Sequence, residues 1–529
     1  VLILLSIAFA RYYKDPRVAE RLALGVTMAS FGVAFVTFIL LPLDVLLVSS
    51  TVDHKTGLKK LWAEPETIYW MTFAVQLAYY VCYGLTILFC FLVIPFTYFY
   101  YDDSVQERPT IREKSLTSLR YTSIFGIIAA VVFMLGLFVR PTDLPPHIDL
   151  PWYKNLLAES NGSKAFSFVM ACLYVVGTLI AIFYTAPGLS ILAFNLIKGK
   201  RSIDQENETL EHRLALVMER QRELEAKYAN GNHAMSVRDA RERQNIDDEI
   251  HILTRRLQGV HEDQSSWFQR LLKLLRPFQM LFGFLLLVVS LVMAGSIVLS
   301  LIDKITFSMC GRKCGYILTK TDLFNPMDYL FVQVERVFPL DLILVALFGL
   351  YYFLSTMAGV VRVGVRFLWI TLYRIKQGAT TPQGLLLSSS LVILGLLAMN
   401  YSLATVMVPS YAHFGSQVYC NFTKGGRRDC AHHFGMIVPC DIYGPTDICT
   451  PTVTSTFLDR MTVNAPFFGD MLYYGQWLFL LSFGLGLIVS LFRSPTNTAA
   501  ENTNDLIDAE EREGLLDGRQ HTYGSEASA

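Results

Sequence analysis

Leu22-Ala-Leu-Gly-Val-Thr-Met-Ala-Ser-Phe-Gly-Val-Ala-Phe-Val-Thr-Phe-Ile-Leu-Leu-Pro-Leu-Asp-Val-Leu-Leu-Val-Ser-Ser50 carries one formal charge, Asp44, in 29 residues. A bilayer core about 30 Å thick is crossed by about 20 apolar residues in an α-helix, so this stretch reads as a membrane span. Within it, Leu41-Pro-Leu-Asp-Val-Leu-Leu-Val48 sets a proline two residues before a carboxylate, and Phe338-Pro-Leu-Asp-Leu-Ile-Leu-Val345 repeats the pattern at the mouth of another apolar run. A charge near the centre of a membrane helix costs about 2.5 to 3.5 kcal/mol on insertion scales, and a proline frees a carbonyl that needs a new partner. Asp44 and Asp341 are therefore the residues to explain.

Working outward, hydrophobic residues make up 53% of the 529 positions, aromatics 13% and charges 17%, with mean hydropathy +0.39. Soluble domains carry about 25% charged residues. The chain is expected to be an all-α polytopic membrane protein whose first partner is the lipid bilayer. Lys plus Arg and Asp plus Glu are equal at 45 each, so charge gives no reason to expect a nucleic-acid partner. Seven further apolar runs of spanning length lie at residues 67–101, 121–139, 165–197, 277–302, 342–361, 385–407 and 471–492. Residues 1–10 read as the tail of a truncated first helix, since no basic n-region or cleavage site marks a signal peptide. The expectation is about nine transmembrane helices, with the termini on opposite sides.

Three signals orient them. The short loops at 11–21, 102–120 and 362–376 are basic and fall on one side by alternate counting, which makes that side cytosolic. Six of the nine cysteines, Cys310, Cys314, Cys420, Cys430, Cys440 and Cys449, fall in two large loops on the other side, where an oxidising lumen favours disulfides. The sequons at Asn161 and Asn421 fall there too and are candidate glycosylation sites. Those at Asn207 (cytosolic) and Asn400 (within a span) are expected to stay unmodified.

The organisation is then helices 1–5 over residues 1–197, a cytosolic segment over 198–276, helices 6–9 with the cysteine-bearing loops over 277–492, and a tail over 493–529. In the cytosolic segment Leu210, Leu214, Val217, Gln221 and Leu224 step by 4 and 3, as do Ile246, Ile250, Leu253, Leu257 and Val260. Turn chemistry at Tyr228-Ala-Asn-Gly-Asn232 between two such seams predicts an antiparallel helical hairpin, a docking or structural element. The tail is polar and poor in aromatics, so disorder is expected. Within it Glu511-Arg-Glu-Gly-Leu515-Leu516 matches the acidic dileucine pattern that clathrin adaptors read in the cytosol.

The twin carboxylates admit two readings. If Pro339 opens a helix, its missing N–H costs nothing and Asp341 sits where the helix dipole favours an anion; Asp44 plays the same part if its helix breaks at Pro42 rather than running on through a kink. The other reading makes Asp44 and Asp341 a cavity-lining pair on the lumenal side, as in transporters with broken helices. Coincidence between Leu-rich segments and snorkelling to the interface are the plain alternatives. Gln76 and Asn195 are expected to hydrogen-bond between helices, and Pro95 and Pro187-Gly188 to kink theirs. Cys430-Ala-His-His433 with Cys440 has zinc-ligand residue types, but four cysteines in a lumenal loop read as disulfides of open connectivity, so no metal is expected. No Gly-x4-Gly-Lys-Ser/Thr loop, Gly-x-Ser-x-Gly or His-Glu-x-x-His is present, so no enzyme is expected and ATP-driven transport would need another polypeptide.

The ordered set Leu41-Pro-Leu-Asp-Val-Leu-Leu-Val-Ser49, Ile94-Pro-Phe-Thr-Tyr-Phe-Tyr-Tyr101, Tyr184-Thr-Ala-Pro-Gly-Leu-Ser190, Asn195-Leu-Ile-Lys-Gly199, Phe338-Pro-Leu-Asp341 and Ser355-Thr-Met-Ala-Gly359 resembles the limb region 1-like membrane proteins. The resemblance covers nearly all spans in their order and is weakest in the hairpin, the lumenal loops and the tail. It implies a multi-pass lysosomal membrane protein with a lumenal amino terminus and a cytosolic carboxyl terminus. It implies a role in exporting cobalamin (vitamin B12) from lysosome to cytosol, as transporter or as escort of an ABC transporter that supplies ATP hydrolysis. Cobalamin would then be cargo, with no covalently bound cofactor. Lipocalin-interacting relatives imply the alternative, a membrane receptor or scaffold acting in endocytosis or trafficking. The resemblance brings no residue-level substrate site, and the Asp-x-His-x-x-Gly loop of B12 enzymes is absent.

Overall fold

A computed structural model of the chain describes residues 21–101, 111–138, 161–198, 203–228, 267–308, 311–317, 321–367, 370–373, 380–424 and 434–492, with isolated positions between them. The protein is all-α and polytopic. Its helices are α1 (Arg21–Ser49), α2 (Pro65–Leu88), α3 (Ile94–Tyr100), α4 (Ile111–Phe138), α5 (Asn161–Ile180), α6 (Ala186–Lys198), α7 (Ile203–Tyr228), α8 (Trp267–Phe307), α9 (Pro326–Glu335), α10 (Leu340–Val363), α11 (Pro382–Ser402), α12 (Pro409–Phe414), α13 (Val453–Asn464) and α14 (Pro466–Phe492). Strand pairs are two to four residues long and only staple loops: Val52–Asp53 with Leu58–Lys59, Val365–Phe367 with Ile370–Tyr373, Val418–Cys420 with Ile437–Pro439, and Thr423–Lys424 with Arg427–Arg428.

Among the described residues eight helical stretches are long and apolar enough to cross a membrane. They coincide with the eight complete runs read from hydropathy, because length and apolarity alone set the requirement. The ninth, at residues 1–10, lies outside the described residues except for Ile7 and Ala8.

The contacts divide the chain into two units, residues 1–192 with 287–490 and residues 193–286 with 491–529. In the first, α11 is the most deeply buried span and packs against α1, α5 and α10, while α4 is the most exposed, its Ile124, Ile127 and Leu135 facing outward as lipid-facing residues do. Lipid tails are as apolar as leucine, so membrane helices associate through close backbone packing at small residues. A Cβ on Gly188 would strike the Ser355 carbonyl, and one on Gly359 the Tyr184 carbonyl, so the two helices meet backbone to backbone. Beside that contact Thr185 and Thr356 share a hydroxyl hydrogen bond of 2.8 Å.

Three helices pass a proline in the same way. Wide turns at Phe89–Val93, Ala181–Thr185 and Leu403–Met407 each end two residues before a proline, Pro95, Pro187 and Pro409. In each, the residue just ahead of the proline donates its N–H five residues back, to Phe89, Ala181 and Leu403. The wider turn moves carbonyls out of the way of the proline ring, and at Pro187 and Pro409 a neighbour satisfies one left over. Ser482 donates to the Ile182 carbonyl at 2.6 Å and Asn325 to that of Met407 at 3.0 Å. At Pro42 the helix simply runs on, so α1 is one helix from Arg21 to Ser49.

In the second unit α7 carries the first of the two expected seams. Of the second seam only Ile246 and Ile250 are described, with Arg243 and Thr254 near them; Thr254 donates to the Ile250 carbonyl at 2.8 Å, as in a helix, and Arg243 lies 4.0 Å from Glu225.

Candidate functional site

The twin stretches end at one place in the bundle. Asp44, on α1, is fully buried and accepts hydrogen bonds from the Thr454 N–H at 2.8 Å, the Thr454 hydroxyl at 2.9 Å and the Val453 N–H at 3.3 Å. These are N–H groups of the first turn of α13, whose N-cap Thr452 accepts from Ser455 at 3.2 Å. A helix N-terminus carries unsatisfied donors and the positive end of the dipole. The carboxylate of one span therefore serves as the anion of another element's helix start. The Tyr79 hydroxyl lies against the Thr454 hydroxyl and extends the network to α2.

Asp341 stands in the first turn of α10, behind Pro339 as the N-cap, and is 1% exposed. The Tyr411 hydroxyl on α12 lies beside it and within electrostatic reach of Asp44 and Glu335 as well. The two Pro-Leu-Asp carboxylates thus face one tyrosine from two spans. Glu335, Asp328 and Tyr411 were missed from sequence because α9 and α12 are too short to register as spans. Asn325-Pro326 is nevertheless a readable helix start: Asn325 caps α9, accepting from Met327 at 3.1 Å. Asp328 caps α12, accepting from Tyr411 N–H at 3.0 Å and Ser410 N–H at 3.3 Å.

Next to the Asp44 network a cavity of about 260 Å³ opens between α2 and α13, with Gln76, Tyr79, Tyr80, Tyr83, Phe457 and Arg460 in its wall. Among the described residues its lining includes neither aspartate. Asp44 stands one layer behind it, bonded to Val453, which does line it. Gln76 donates to Tyr80 within its own helix at 3.3 Å, and it is Tyr80 that reaches Ser163 on α5 at 2.9 Å. Gln76 therefore acts across helices through a tyrosine, while Asn195 is exposed. Tyr83 stacks on Phe457 at 5.3 Å and accepts from Tyr174 at 3.2 Å. Rings, hydroxyls, an amide and a guanidinium make a wall suited to an amphipathic guest held by stacking and hydrogen bonds.

Thr450 and Pro451, at the end of the loop that follows α12, complete this wall. Disulfides join Cys420 to Cys430 and Cys440 to Cys449, which leaves neither Cys430 nor Cys440 as a thiolate for zinc. Among the described residues no cluster of three metal-ligating side chains occurs. Gln417 clamps the loop, donating to the Phe414 and Thr450 carbonyls at 2.8 Å and accepting from the Thr450 N–H at 3.0 Å. Behind it His413 lies 3.9 Å from Asp459. Burial pushes the imidazole down to about 4 and the Asp459 carboxyl up to about 7, with nearby Lys304 opposing the latter. Asn161 is the first residue of α5 and Asn421 is exposed beside a loop strand. Cys314 lies in the short turn Gly311–Cys314. Cys310, Glu511, Leu515 and Leu516 lie outside the described residues.

Known proteins place this architecture. The profile of a family described as "LMBR1-like membrane protein" matches residues 1–258. A protein of Sclerotinia sclerotiorum named "Probable lysosomal cobalamin transporter" is 36% identical over 99% of this chain and 92% of its own length. The chain belongs to the LMBR1-like family. Members with the same printed name from Aspergillus terreus (38% identical; 91% of this chain, 86% of the relative) and Neurospora crassa (35%; 97% and 89%) agree with that assignment. No solved structure matches. In this LMBR1-like chain the Pro-Leu-Asp stretches and the tyrosine cavity both fall within the 99% of the chain aligned with the Sclerotinia sclerotiorum relative.

Proposed function

We propose that this chain is a lysosomal multi-pass membrane protein required for export of cobalamin from the lysosome to the cytosol. The observation that carries the reading is the 36% identity over 99% of the chain to the relative named "Probable lysosomal cobalamin transporter". Both large elements of the proposed path, the spans and the loop that completes the cavity wall, lie within that alignment. The amino terminus faces the lumen and the carboxyl terminus the cytosol, which the two disulfides of the 420–449 segment favour, since such bonds belong in an oxidising compartment.

The tyrosine cavity is the proposed cargo contact, with Asp44 holding its α13 wall in place and Asp341 supporting the same end. At about 260 Å³ it falls below the about 300 to 1,000 Å³ of ordinary small-molecule sites. It therefore takes one edge of a corrinoid, an amide arm or part of the nucleotide tail, rather than the whole molecule. Movement against a gradient is assigned to an ABC transporter partner, with this chain as cargo-presenting escort, and delivery to lysosomes to clathrin adaptors that read Glu511, Leu515 and Leu516. No catalytic step is required of this chain.

The test is binding of labelled cobalamin to the purified full-length chain. Thr456→Trp fills the cavity from the α13 side and is expected to weaken binding about tenfold, about 1.4 kcal/mol. Absence of binding by the wild-type chain, or unchanged binding by a folded Thr456→Trp variant, would overturn this reading.

A further inference from the structure

Buried carboxyls gather around Tyr411, and two of them, Asp44 and Asp328, close full hydrogen bonds to helix starts. Asp44 receives the N–H groups of α13 and Asp328 those of α12. Glu335, the last residue of α9, is 5% exposed and Asp341 1%. No oxygen of either closes a hydrogen bond of normal geometry among the described residues. The groups facing them are hydroxyls and backbone N–H groups: the Ser49 and Ser416 hydroxyls and the Ser416 N–H lie beside Glu335, and the Leu342 and Asp341 N–H groups with the Tyr411 hydroxyl beside Asp341. The Tyr411 hydroxyl and the Ser49 hydroxyl are themselves buried and likewise close no such bond. Gly415, at φ +60°, packs its backbone directly against the pair: a Cβ there would fall 2.7 Å from Glu335 Oε1 and collide with Ser49 Oγ.

Among the described residues, the titratable groups that act on this pair are acidic or neutral: Asp44 from α1, Asp341 from α10 and Tyr411 from α12. His413 on α12 pairs with Asp459. Arg336 follows Glu335 in sequence but is exposed and acts on His54, as does exposed Lys60. An ionised carboxylate removed from water without a counter-charge is costly to bury, and where neighbouring donors do not close full hydrogen bonds to it, it takes up a proton instead.

We propose that the Glu335–Asp341 pocket is a proton-binding site, packed shut when the pair is neutral and loosened when it ionises. Burial pushes the Glu335 carboxyl from 4.5 up to about 8, with Asp341 adding to the rise. A raised carboxyl value means that the folded protein holds the proton more tightly than the unfolded chain. The stabilisation is therefore complete below pH 4.5 and is lost as pH rises through about 8. On the orientation proposed above this end faces the lysosomal lumen, but the proton site stands without the cargo reading.

The experiment is infrared difference spectroscopy on the full-length chain in lipid vesicles without cobalamin, titrated from acid through pH 8. A protonated-carboxyl C=O band that resists deuterium exchange is expected in acid and is expected to vanish as pH rises, with Glu335→Gln removing it and Asp341→Asn shifting its midpoint. The proposal is overturned if the wild-type band does not titrate, if Glu335→Gln keeps it in full, or if sodium at constant acid pH abolishes it, which would make the pocket a cation site. Should Glu335→Gln not fold, Glu335→Asp is expected to keep the band with a moved midpoint, and an unmoved midpoint also overturns the assignment.

Discussion

At the scale of single residues, Asp44 shows how a costly group becomes a structural one. Its three donors come from Val453 and Thr454, more than 400 residues further along the chain. Sequence marked Asp44 and Asp341 as expensive because a carboxylate in apolar surroundings must have a partner. It held no trace of which partner, since a helix start supplied from α13 has no local signature in α1. Removing the carboxylate leaves buried N–H groups unanswered, and an unsatisfied buried donor costs about 1 to 3 kcal/mol. Asp44→Ala is expected to destabilise the protein by about 3 kcal/mol and Asp44→Asn by about half of that, because the amide keeps one acceptor oxygen. Thermal unfolding in detergent measures both, and an Asp44→Ala variant as stable as wild type would remove the helix-start role.

Among elements, the prolines and small residues decide how the spans fit. That Pro95 and Pro187 disturb their helices was legible, because a proline inside an apolar run removes a hydrogen bond and crowds the preceding turn. That each is preceded by a wide turn, and that Pro409 repeats the device, was not legible, because 385–407 already satisfies the length of a span and hides the proline just beyond it. Pro42 shows the limit from the other side: the same residue type, in a helix that carries on to Ser49. The Tyr184–Ser190 and Ser355–Gly359 stretches, which carry part of the family resemblance, meet where Gly188 and Gly359 bring two backbones together. Gly188→Ala puts a methyl into the Ser355 carbonyl, a backbone atom that cannot swing aside. Overpacking of this kind costs about 1 to 3 kcal/mol, and the upper end is expected here. Folded yield and melting temperature report it, and a Gly188→Ala protein with wild-type values of both would show that the helices are not locked at this contact.

For the whole molecule, hydropathy was enough to place eight spans, because the bilayer imposes one length on all of them. It was not enough to find the cavity. Tyr79, Tyr80 and Tyr83 read as part of an apolar run, and their common wall exists only once α13 folds against α2. Sorting belongs to this scale as well. Leu515→Ala with Leu516→Ala is expected to move the protein from lysosomes to the cell surface, and unchanged lysosomal residence in imaging would remove the dileucine signal. The central claim is that cobalamin leaves lysosomes only when this chain is present and its cavity open. Labelled cobalamin release from isolated lysosomes measures it directly, in cells lacking the chain and in the same cells expressing wild type or Thr456→Trp. The account predicts retention without the chain, release with wild type and release reduced about tenfold with Thr456→Trp, whereas equal release with and without the chain would contradict it.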